Sequence, residues 1–120
     1  MAKGKVRTFN TGATRDTDEG KYDYEGFLSP LVLERFGQYM HLHRKQSDGS
    51  LRDSDNWQKG IPKEQYRKSL FRHFIDVWYI LRGWGTKSEA GEDVESLLCA
   101  ILFNTMGILH ETLKEKKKEK

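Results

Sequence analysis

Apolar residues recur at intervals of three and four along three stretches of this chain, and nowhere do they alternate over a strand-like length. The first stretch holds Val32, Leu33, Phe36, Tyr39 and Met40. Ser29-Pro30 precedes it, a capping serine followed by a proline at the first helical position, and the predicted helix runs to about Lys45. A second helix is predicted from Pro62, just after Gly60, to Gly83. Spaced at about 100° per residue, its Tyr66, Leu70, Phe71, Phe74, Ile75, Val77, Trp78 and Leu81 cover more than half the circumference, so burial on most sides is expected. The remaining wedge holds Ser69, Arg72 and Asp76, with His73 at its margin. A third helix is predicted from near Glu92, apolar almost all round from Leu97 to Leu109 but for Asn104. Residues 1–26 have no periodic pattern and read as an extended arm, while the charged residues 114–120 read as a fraying, solvated tail. The expected fold is all-α, a bundle of three to four helices over residues 27–113.

Composition narrows this picture. A length of 120 residues is that of one domain, and with 36% hydrophobic residues and a mean hydropathy of −0.81 a monomer would bury only a modest core. Helices this apolar on a chain this small are expected to need a partner chain, which points to a homo-oligomer, a dimer or tetramer. The single cysteine, Cys99, precludes an internal disulfide framework and suits a reducing compartment, so a cytoplasmic location is expected. The longest uninterrupted apolar run, Leu97–Phe103, is seven residues, against the roughly 20 needed to cross a bilayer. The basic N-terminus has no apolar segment behind it, so no signal peptide is expected.

Charge is unevenly placed. The net +3 would favour a nucleic-acid binder, yet Lys114–Lys120 alone is +3 and the first seven residues add another +3. Thr8–Leu113 carries 13 basic and 16 acidic residues, a net −3. Chemistry is therefore sought among the acids of the helical part rather than in the basic tails.

Asp76 and Arg72 lie four residues apart on a helix that reads as buried, where an unpaired carboxylate is costly. An internal Asp76–Arg72 ion pair is the simplest expectation. Glu92, Asp93 and Glu95 open the third helix, where acids are favoured by the macrodipole alone. Glu92 and Glu95 also project from neighbouring points, and two helices facing such carboxylates at each other would make an oxygen-rich pocket suited to Mg²⁺ or Mn²⁺. Asn104 shares a stripe with Asp93, Ala100, Gly107 and Glu111, whose small members permit close approach of another helix or a ligand. It either caps a neighbouring backbone group or reads a base. Trp57, in a polar loop beside Asn56 and Lys59, either stacks on a base or docks the loop on its own bundle. His41 and His43 point to opposite sides of a helix and make no metal pair. Cys99 has no activating neighbour in sequence and reads as a small buried hydrophobe.

Thr11-Gly12-Ala13-Thr14-Arg15-Asp16, Gly20-Lys21-Tyr22-Asp23, Asn56-Trp57-Gln58-Lys59-Gly60, Arg72-His73-Phe74, and Leu98-Cys99-Ala100 with Phe103-Asn104 occur in that order. Together, across Thr8–Leu113, they resemble the phage-encoded dATP/dGTP diphosphohydrolases, relatives of the MazG-type all-α nucleotide pyrophosphohydrolases. The resemblance implies an oligomeric MazG-like bundle, in the host cytoplasm if phage-encoded, that uses water and divalent metal ions to cleave a purine deoxynucleoside triphosphate to monophosphate and pyrophosphate. MazG-type enzymes carry an ExxE pair on one helix and an ExxD pair on the next. Glu92-x-x-Glu95 matches the second pair with Glu in place of Asp, whereas His73-x-x-Asp76 stands where the first would be. Gln38 stands where another carboxylate would follow Glu34.

On that resemblance Glu34, Asp76, Glu92 and Glu95 are the expected metal ligands, with Asp76, Glu92, Glu95 and His73 as the catalytic set. Arg72 and Lys59 are expected on the phosphates, and Asn56, Trp57 and Asn104 on the nucleoside. Two other readings stand beside it: a helical oligomer whose basic tails grip nucleic acid, and a decayed relative that sequesters nucleotides without turnover.

Overall fold

The computed structural model describes residues 6–85 and 93–118. The chain divides into two compact units, Met1–Leu33 and Glu34–Lys120.

In the first unit the expected extended arm is a β-hairpin. Strand β1 (Val6–Thr8) pairs antiparallel with β2 (Thr14–Asp16), Arg7 opposite Arg15. The connecting loop closes through Phe9 N–H to the Ala13 carbonyl (2.8 Å) and Gly12 N–H to the Phe9 carbonyl (2.9 Å), with Gly12 at φ +87°, a conformation that suits glycine. Three-residue strands are too short for alternation to register as a pattern, which is why the sequence reads as an arm. Arg7 bridges to Asp18 (3.5 Å). One helical turn, α1 (Tyr24–Phe27), follows, capped by Asp23 through the Gly26 N–H at 3.0 Å. Helix α2 (Pro30–Leu42) crosses the boundary, its residues from Glu34 on belonging to the second unit; it starts where Ser29-Pro30 predicts, the Ser29 hydroxyl accepting from Val32 N–H. It ends three residues short of the expected Lys45, which already belongs to the next turn.

The second unit is built on α3 (Lys63–Leu81) and α4 (Val94–Lys118). They pack as an antiparallel hairpin: Lys63 at the start of α3 bridges to Glu115 near the end of α4 (3.1 Å), and Tyr66 meets Phe103 and Gly107. The core of this hairpin is narrow. Tyr66, Val77, Leu97, Cys99 and Ala100 are buried, with Asn104 and Gly107 on the same stripe of α4. Gly107 admits the Tyr66 ring of α3, so the small-residue stripe is a place of close approach by another helix.

Two expectations need correction. Helix α3 was to be buried on most sides, yet Phe71, Phe74, Trp78 and Leu81 remain exposed, because a two-helix hairpin covers one face of each member. The charged tail was to fray, yet α4 runs on to Lys118. Lys and Glu are good helix formers, the final lysines suit the negative end of the helix dipole, and the Lys63–Glu115 and Lys114–Glu111 pairs (3.1 and 2.9 Å) tie that end down. By length and composition α4 is also apolar enough to cross a membrane, although the sequence shows no uninterrupted apolar run of that length.

Candidate functional site

Beyond α2 the chain makes a tight reversal. Lys45 pairs with Leu51, Gln46 N–H donates to the Ser50 carbonyl (2.8 Å), and Gly49 at φ +88° turns the corner. The Asp48 carboxylate accepts from the Ser50 hydroxyl (2.6 Å) and N–H (2.9 Å), which together hold its pKa below the ordinary carboxylate value. Across the base of the turn Arg52 N–H donates to the Arg44 carbonyl (2.8 Å). A 3-10 turn, Asn56–Lys59, then lays Trp57 edge-on against Phe103 (ring centroids 6.2 Å) and His110 (4.8 Å) of α4. Trp57 therefore docks the loop on the bundle, and its other side remains available.

These segments enclose a cleft of about 600 Å³, within the range of small-molecule sites. Its lining takes Tyr39, Met40 and His41 from α2, His43, Arg44 and Arg52 from the reversal, Asp53, Ser54, Asn56, Trp57 and Ile61 from the loop that follows, and Phe103 from α4. Because α2 ends at Leu42, His43 lies beyond the helix, and both histidines reach the cleft rather than opposite sides of a helix. Tyr39 and His43 stack at 4.0 Å, and the His43 Nδ1 lies 2.8 Å from the Tyr39 carbonyl. The lining offers flat aromatic faces, two guanidiniums and one carboxylate, a mixture suited to an aromatic anion. A smaller apolar hollow of about 270 Å³ at the end of α3, beside Trp78 and Trp84, contains none of the predicted residues.

Of the predicted substrate-binding residues, Asn56 and Trp57 line the large cleft and the other three do not. Lys59 is exposed away from it. Arg72 donates to Ser69 (3.0 Å) rather than pairing with Asp76; on a face that stays partly in water, solvent replaces the ion pair expected for a buried one. Asn104 is buried and donates its amide to the Ala100 carbonyl (2.9 Å), so it satisfies its own helix. His73 is half-buried, its Nδ1 without a hydrogen-bond partner among the described residues.

The predicted acids are not gathered into one group. Helix α4 starts at Val94, capped by Asp93, whose carboxylate accepts from Ser96 N–H at 2.8 Å. That hydrogen bond holds the Asp93 pKa below its ordinary value. Glu92 lies outside the described residues. Glu95 is engaged by the Arg35 guanidinium of α2 (2.8 Å), which also donates to Ser96 (3.2 Å). Asp76 is half-exposed near the end of α3, on the level of the first turns of α4 by the antiparallel register, and has no ion-pair partner among the described residues. Glu34 is exposed on α2. Among the described residues no three His, Cys, Asp or Glu converge as a metal site. Cys99 is buried, and burial pushes its thiol pKa up, as expected for an inert core cysteine.

Sequence reasoning missed Arg35, Arg44, Arg52 and Asp53. A signal for two of them was present: Arg44 and Arg52 stand symmetrically about Asp48-Gly49, a turn dipeptide, which places them opposite each other if the turn closes. No family model, curated protein or solved structure matches the chain.

Proposed function

We propose that this chain hydrolyses purine deoxynucleoside triphosphates, dATP or dGTP, to the monophosphate and pyrophosphate, as an oligomeric member of the MazG-like all-α pyrophosphohydrolases it resembles. The observation that carries this reading is the cleft, in which Asn56 and Trp57 of the Asn56–Gly60 motif meet two guanidiniums and further aromatic faces. A purine would lie against the aromatic faces, and its anionic chain would face the two guanidiniums. Excluding water from the base, fixing the phosphates and orienting an attacking water are the tasks such a site must perform, since phosphoryl chemistry is mainly positioning and electrostatic stabilisation.

Divalent cation dependence on Mg²⁺ or Mn²⁺ is part of the proposal, with Glu34, Asp76, Glu92 and Glu95 as its ligands. The described residues in the present arrangement do not fit such a site, because Glu95 is committed to Arg35 and Glu34 and Asp76 do not join it. The Arg35–Glu95 bond also favours a second reading, a relative that binds nucleotides without turning them over.

Pyrophosphate release from dATP and dGTP, with and without Mg²⁺ or Mn²⁺, separates these readings. Metal-dependent release is expected, and a fall of at least about 100-fold in Asp76→Asn and Glu95→Gln, the scale of a lost transition-state contact, would bring these acids into the mechanism. Full activity in both variants removes those acids from the mechanism. Tight nucleotide binding with no release by the unmodified protein selects the second reading.

A further inference from the structure

We propose that Arg44 and Arg52, which both line the cleft, form a phosphate-binding pair, taking the anionic chain of a nucleotide whose base lies against Trp57. The proposal rests on the nucleotide reading above but assigns the phosphates to residues that the sequence motifs do not contain.

Each arginine is held by one main-chain hydrogen bond across the turn. Arg44 Nε donates to the Arg52 carbonyl (2.8 Å), and Arg52 Nη1 donates to the His43 carbonyl (3.0 Å). A guanidinium has five N–H groups, so these bonds orient the forks while leaving most donors for a ligand. Neither arginine forms an ion pair with a carboxylate among the described residues, although the surrounding chain is acidic and six other cations of the described residues do so. Asp53 lines the same cleft without bridging to either.

Two like charges held on one short turn repel each other, and an anion between them relieves that repulsion. A planar fork matches phosphate oxygens in pairs, the geometry for which arginine is favoured over lysine. The turn that carries them is itself fixed by the Gln46–Ser50 and Asp48–Ser50 bonds, so little ordering is left for the ligand to impose. Among phosphate ligands, the rest of the lining favours one that also carries a flat ring, because the ring faces of Tyr39, Trp57 and Phe103 can stack on a base and not on an inorganic anion.

Equilibrium titration of the full chain with α,β-methylene-dATP, deoxyadenosine and inorganic tripolyphosphate tests this without requiring turnover. Arg44→Gln and Arg52→Gln should each weaken the methylene-dATP at least about 10-fold, while leaving deoxyadenosine within 2-fold. Tripolyphosphate should bind more weakly than the methylene-dATP and lose affinity in the same variants. Arg44→Lys and Arg52→Lys keep the charge and should retain an intermediate affinity. Asp48→Ala loosens the same turn without touching the pair, and should cost less than either Gln variant. Should the Gln variants not fold, the Lys variants decide: unchanged methylene-dATP affinity in both overturns the proposal. So does unchanged affinity in folded Gln variants, even if the unmodified protein releases pyrophosphate. Arginine-dependent binding without pyrophosphate release would instead retain this site and overturn the catalytic reading.

Discussion

Gly107 is where the ring of Tyr66 sits, so a single hydrogen at that Cα sets the approach of α3 to α4. A Cβ added there would overlap the ring carbons of a residue only 2% exposed, which has no space to swing away. Overpacking of this kind costs about 1–3 kcal/mol, against a helix-propensity gain of about 1 kcal/mol for replacing glycine with alanine. Because several ring atoms are struck at once, the steric cost should win. Gly107→Ala is expected to lower the urea midpoint of unfolding. Gly37→Ala on α2, where nothing lies within 4 Å of the added methyl, should raise it. The stripe of small residues was legible as a place of close approach, but which ring would fill it was not. Tyr66 lies some 40 positions away, and only the antiparallel register brings it there. Asn104 shows the same limit. Its burial followed from the apolar run around it, whereas its bond to Ala100 rather than to a ligand depends on a rotamer.

At the scale of elements, capping residues located the helices well. Ser29-Pro30 and Pro62 mark the starts of α2 and α3, whereas α4 starts at Val94, capped by an Asp93 that the sequence reading places inside the first turn. The Asp93 cap has a consequence for acid stability. Its carboxyl pKa lies below the ordinary 3.8 because the Ser96 N–H is bonded to the charged form. A depressed folded-state value means that the contribution is present at neutral pH and is lost as pH falls through it. Asp93→Asn retains a capping oxygen but cannot titrate. It should therefore hold its melting temperature near neutral pH and lose less of it below about pH 4 than the unmodified protein. Asp93→Ala should melt lower at neutral pH, with the deficit shrinking on acidification; a constant deficit across pH 3–7 would count against the cap. The elements that escaped sequence reading are short or chemically unassertive. Strands of three residues give no period, and the turn at Asp48-Gly49 was visible while the pairing of its flanks was not.

For the whole molecule, the α3–α4 hairpin leaves apolar surface that two helices cannot cover between them. Phe71 is 62% exposed, Leu81 73% and Leu109 56%, and Trp78 and Leu98 are each about half exposed. Contiguous apolar faces of this kind are uncommon on monomers and serve as association surfaces. Stacking two hairpins would make a four-helix arrangement, the common way of closing such faces. Light scattering on the eluting protein is expected to give a mass of at least twice the 14.0 kDa of the chain. Phe71→Glu, which places a charge on that face, should shift it toward the monomer. A monomer at micromolar concentration in the unmodified protein would show that the face has another cover.

The sequence by itself determined the helical segments, their caps, the narrow small-residue stripe of α4 and the concentration of positive charge at the chain ends. Those follow from periodicity, backbone preferences and counting, all of which act over a few residues. Tertiary structure alone decided which charges meet. It gave Glu95 to Arg35, left Arg72 and Asp76 without the expected ion pair, and brought Arg44 and Arg52 into the lining of one cleft with Trp57 and Phe103. Electrostatic partnership depends on distances of a few ångströms between residues remote in sequence, and spacing along a chain does not specify them. The overall +3 therefore misdirects twice: its excess lies in the tails, and the two cations best placed for an anion lie within the acidic middle.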